Sequence, residues 1–256
     1  MTQPRHTLAP SRLDRIFGPV PDLPRPRALG AERRAEIVLW SAAVLLVLLV
    51  FRAGFSQPGD LNPAWRGWTD LSLNGRLYWA SWGFVFYLLI PVLIVLVWFR
   101  ESPARYGLRL YITRRTLLLY LVLAAVMIPA LFWASERPSF LVRYPFVRDL
   151  DGRRDILVWE TIYLGRFVAL EFFFRGFLLF GLEERFGRLA IPVSVIPYAI
   201  LHFAKPFPEA MGSIVAGGVL GLVALRTRSI FGGALVHITI ALSMDLLAMW
   251  RKGILP

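Results

Sequence analysis

The chain has 256 residues, of which 57% are hydrophobic and 18% charged, with a mean hydropathy of +0.57. A soluble domain runs nearer ~45–50% apolar and ~25% charged, so this balance excludes a soluble enzyme and a disordered chain and points to an integral membrane protein. The net charge of +12 comes from arginine, with Lys205 and Lys252 the only lysines, and there is no cysteine. Disulfides, thiolate metal sites and cysteine nucleophiles are therefore ruled out. The positive balance fits cytoplasmic loops and anionic headgroups rather than nucleic acid.

In chain order, residues 1–35 form a basic, proline-rich arm with Pro4, Pro10, Pro19, Pro21, Pro24 and Pro26 among seven arginines. It has no apolar run of the kind a signal peptide needs. Seven apolar stretches follow, against a requirement of about 20 helical residues to cross a hydrocarbon core. Ile37–Phe55, Leu77–Phe99 and Thr116–Ser135 meet that length and carry almost no charge. Ile156–Leu182 is long enough but contains Glu160, Arg166, Glu171 and Arg175. Leu189–Phe203 and Ala210–Leu225 are short, and Ile230–Trp250 closes the set with His237 and Asp245. The expected fold is an all-α polytopic bundle of about seven spans. It divides into the arm (1–35), an inert three-span front bundle (36–135), an extramembrane loop (136–155) and a charged back bundle (156–250). The arginines of the arm, of the loop Arg100–Arg115 and of the turns near Arg188 and Arg226 put those segments inside the cell and the C-terminus outside.

Ionisable side chains in apolar helices are costly unless paired or facing water, and mark function by default. Glu171 and Arg175 stand four residues apart, on one helix face, so the carboxylate has the partner that burial demands. Alone, such a pair can be a structural stitch between helices. Two of the chain's three histidines, His202 and His237, lie on two further back spans, while His6 lies in the arm. A carboxylate and two imidazoles around water are what amide hydrolysis needs: a group to take the water proton, a group to steady the oxyanion, and a proton for the leaving amine. Two histidines and a carboxylate can also hold zinc, but no HExxH spacing is present, and neither metal nor cofactor is expected.

These residues resemble the CAAX-protease and bacteriocin-processing family of intramembrane proteases, which includes the type II CAAX prenyl endopeptidases. The family pattern is EExxxR, then FxxxH, then HxxxN. Here it corresponds to Leu170-Glu171-xxx-Arg175, Tyr198-xxx-His202 and His237-xxx-Ala241, over residues 156–250 only. The resemblance implies an intramembrane endopeptidase in which glutamate and histidine activate water. Its substrate would be a membrane-associated protein or peptide cut near a terminus, of the CAAX or the bacteriocin and sorting type. Leu170 stands where the family has its first glutamate, and Ala241 where it has asparagine. Glu171 is then the base candidate, with His202 and His237 as its catalytic partners. Arg175, Glu160 and Asp245 are supporting candidates, the last two on nearly the same helix faces as Glu171 and His237. The expected protein is multi-pass, in a bacterial cytoplasmic membrane, with its substrate and the bilayer as partners and no nucleic acid. The alternative is a catalytically silent binding or immunity protein on the same scaffold. An ion pathway is disfavoured by the uncharged front spans.

Overall fold

The computed structural model describes residues 29–54, 72–147, 150–203 and 205–255, with residues 52–54 described by backbone alone. The arm up to residue 28, residues 55–71 and the Arg52 side chain lie outside the described residues. Among the described residues every regular element is helical. We number the principal helices α1 (Ala31–Gly54), α2 (Leu73–Trp98), α3 (Arg114–Ser135), α4 (Pro138–Arg143), α5 (Arg153–Glu171), α6 (Leu179–Phe186), α7 (Ala190–Ile200), α8 (Phe207–Thr227) and α9 (Phe231–Arg251). A π-helical segment, Phe172–Leu178, joins α5 to α6 without a break.

The helix starts follow local chemistry. Ser72 caps α2 by accepting from Gly75 N at 3.1 Å, and Thr113 and Thr116 form a reciprocal capping box at the head of α3. Gly187, at φ +54°, ends α6 in a conformation that L side chains rarely adopt.

Five helices, α1, α2, α3, α8 and α9, are long and apolar enough to cross a membrane. The other two predicted spans are present as helices of a different kind. The α5–α6 segment is long but charged, and α7 has only 11 residues. The protein is an integral membrane protein. Large apolar side chains point outward along the spans, among them Trp40 (75% exposed), Val97 (72%) and Val126 (68%), the reverse of a water-soluble surface and the arrangement lipid favours.

Packing sets α1 against α2 and α6, α2 and α9 against α5, α3 against α9, and α7 against α8. The α5–α6 segment thus lies at the centre, and its Phe172, Phe173, Phe174 and Phe177 are wholly buried; they are core, and none faces lipid. On α8, Gly217 faces Val195 and Tyr198, and Gly221 faces Ile191. This small-residue face lets α7 and α8 approach closely.

The segments that carry the arginine bias gather at one end of the bundle. Buried Arg34 bonds Glu101 at 2.8 Å and Glu184 at 2.5 Å, Arg228 pairs with Glu183, and Ser229 Oγ donates to the Arg109 carbonyl at 2.7 Å. Far along the chain from these, Arg251 meets Glu136 at 3.1 Å, joining the end of α9 to the segment after α3.

Candidate active site

Glu171 ends α5, and its side chain is fully buried. Its Oε1 accepts from His237 Nδ1 at 2.7 Å and lies 3.3 Å from Arg175 Nη1. The i,i+4 pairing expected from the sequence is present, although Arg175 sits in the π-helical segment rather than in a regular α turn. Such insertions recur at functional sites because they re-aim side chains within an otherwise regular helix.

The pocket for the carboxylate is made by α9. At Gly233 a Cβ would lie 2.5 Å from Glu171 Oε2, so a side chain there would push the carboxylate out of this position. One turn further, His237 stacks on Phe167 of α5, with ring centroids 5.4 Å apart and planes at 28°. Its Nε2 is 2.7 Å from the hydroxyl of Tyr198 on α7. Tyr198 in turn holds the second histidine, because His202 Nδ1 lies 2.9 Å from the Tyr198 carbonyl oxygen. The Arg175 guanidinium lies 4.3 Å over the Tyr198 ring, a cation–π contact made away from water. Arg175, Glu171, His237, Tyr198 and His202 therefore form one connected chain of polar contacts across three helices and the π segment.

Glu171 touches His237 directly and reaches His202 only through Tyr198. The His237 side chain keeps 14% of its surface exposed and His202 is half-buried, so the histidines are the wetter members of the set. Leu170 is packed into the core at 7% exposure, and Ala241 is buried at 6% in a neighbouring apolar cluster.

Glu160 and Asp245 meet each other rather than the histidines. Their carboxyls face one another, Trp159 Nε1 donates to Asp245 Oδ2 at 3.2 Å, and Arg76 and the Phe146 backbone also bear on Asp245. This second buried polar cluster braces α5 against α9 from one side of the site. Tyr163 and Phe167 stand between it and His237, with stacked or edge contacts along the series Trp159, Tyr163, Phe167 and His237.

The polar run after His202 is also built into the fold. Lys205 Nζ bonds Glu209 Oε1 at 2.5 Å, and Tyr144, in the loop before α5, donates to the same carboxylate at 2.9 Å. Burial and the Glu209 charge hold the Tyr144 phenol protonated, well above its usual range. This stretch thereby ties the α7–α8 connection to Tyr144.

Two residues of the site carry no role in the sequence pattern: Tyr198 and Gly233. The first has a signal, since it stands at the aromatic position of the Tyr198-xxx-His202 pattern. Gly233 has none, because its value depends on what another helix brings opposite it.

No curated protein and no solved structure matches the chain. Residues 153–243 match the family model described as type II CAAX prenyl endopeptidase Rce1-like. The matched segment contains Glu171, Arg175, Tyr198, His202 and His237 and ends before Asp245. The back bundle that holds this polar chain is thus similar to the CAAX-protease family over those residues.

Proposed function

We propose that the protein is an intramembrane endopeptidase that cuts a membrane-associated protein or peptide near a terminus by water activated at glutamate and histidine. The observation that carries this reading is the linkage of Glu171 to both histidines within the family-matched segment. A stitch between α5 and α9 needs only Glu171, Arg175 and His237; it gives no reason to add Tyr198 and His202 in series. Glu171 is the base candidate, positioned by Arg175 and roofed by Gly233. His202 shares the water's proton and, once protonated, steadies the oxyanion, while His237 holds the Glu171 carboxylate. As the water oxygen bonds the scissile carbon, its proton passes to this set, and it returns to the leaving nitrogen when the C–N bond breaks. Glu160 and Asp245 support the site from the adjoining cluster.

The test compares membrane proteomes of cells carrying the wild-type protein and the Glu171→Ala variant, with termini read by mass spectrometry. At least one membrane-associated protein should keep an unprocessed terminus in the variant. Identical termini at equal protein levels would instead favour the silent binding scaffold, a reading that draws on the complete burial of Glu171.

Among the described residues no three His, Cys, Asp or Glu side chains converge on one point. Cleavage should therefore persist in a strong chelator. Its loss, with recovery on adding one divalent metal, would make His202 and His237 ligands. For orientation, the arginine distribution places the N-terminus inside. A reporter fused after Arg115 should be cytoplasmic and one after Pro256 external; opposite signals at both would reverse the assignment.

A further inference from the structure

We propose that Tyr198 is the positioning residue of this site, its carbonyl fixing which nitrogen of His202 carries the proton and its hydroxyl holding the unprotonated nitrogen of His237. Its consequence for turnover rests on the protease reading above; its geometry does not. A carbonyl oxygen can only accept, so the 2.9 Å contact makes His202 Nδ1 the donor and leaves Nε2 as that ring's open nitrogen. A carboxylate likewise accepts, so His237 donates from Nδ1 to Glu171. His237 Nε2 is then the acceptor for the Tyr198 hydroxyl at 2.7 Å. Glu171 thus sets the tautomer of His237, and the Tyr198 carbonyl that of His202. Tyr198 also occupies the second nitrogen of His237 and leaves the second nitrogen of His202 open.

The tyrosine is built to hold that place. Its side chain is 2% exposed, with Arg175 over one face and Phe174 edge-on at 5.2 Å and 70°. Across the ring, α8 presents Gly217, where a Cβ would come within 3.3 Å of Tyr198 Cδ1. A ring so enclosed cannot swing its hydroxyl away from His237. Both imidazoles are therefore referred to one rigid side chain and its own backbone. This fixes their mutual placement more tightly than two independent partners would.

The test uses the full chain in lipid nanodiscs with ring-¹⁵N-labelled histidine. There are three histidines, and the signal of His6 is identified by its loss in His6→Gln. In the wild type, His202 and His237 should both show the Nδ1–H tautomer. Tyr198→Phe keeps the ring and the carbonyl and removes only the hydroxyl. It should shift the His237 Nε2 resonance toward that of an unbonded acceptor and leave His202 unchanged. On any substrate found to be cut, kcat should fall about tenfold, the value of roughly one hydrogen bond, with KM changed less than twofold. An Nε2–H tautomer at His237, or Tyr198→Phe spectra and kcat identical to wild type, overturns the proposal. The wild-type spectrum alone can do so if the variant fails to fold. If the tautomers are as expected and no substrate is ever cut, the protease reading fails while the positioning assignment stands.

Discussion

Replacing Arg175 by methionine should destabilise the folded protein by about 3–5 kcal/mol, and replacing Glu171 by leucine by a similar amount, because each leaves one buried charge without its oppositely charged partner. Arg175 is 2% exposed and Glu171 wholly buried, so neither survivor can turn to water. Removing both together takes away the desolvation cost as well as the attraction. The Glu171→Leu/Arg175→Met protein should therefore regain most of the lost stability. It should not regain activity, since general acid–base groups contribute about 10²–10⁴-fold. Unfolding in mild detergent, monitored alongside cleavage of the substrate found by terminus mapping, separates the two roles. Single variants that cost less than about 1 kcal/mol, or a double variant that still cleaves, would show that the pair is neither buried in the way described nor needed for chemistry.

Leu170→Glu addresses the residue that departs most visibly from the family pattern. Adjacent helical positions point about 100° apart, and here Glu171 faces His237 while Leu170 packs into the apolar core around the α5–α6 segment. A carboxylate at position 170 enters that core with no partner on its side of the helix, at about 2.5–3.5 kcal/mol on insertion scales. The expected result is a lower folded yield and no gain in cleavage per molecule. Higher cleavage at an unchanged membrane level would mean that position 170 faces the reacting centre. Glu171 would then lose its assignment as the base.

Much of the architecture was legible before any fold was considered. Apolar run length and arginine bias depend on the cost of exposing polar groups to lipid, which is a local property of the chain. They located seven helical segments among the described residues, and the segments sharing the arginine bias do meet at one end through Arg34, Glu101 and Glu184. The same cost singled out Glu171, Arg175, His202 and His237, because an ionisable group in an apolar helix needs an explanation wherever the helix sits. The membership of Leu189–Phe203 was harder. Its helix stops at Ile200, too short to span, and its length says nothing of what it packs against.

What only the tertiary structure decided is which polar groups meet. Glu160 and Asp245 share helix faces with Glu171 and His237, yet they pair with each other. Helical periodicity assigns a direction around the axis, whereas contact also depends on depth and on the helix opposite. Tyr198 and Gly233 enter the site for the same reason. A phenol becomes a histidine's partner, and a glycine a carboxylate's roof, only when separate helices bring their faces within about 3 Å, the reach of a hydrogen bond.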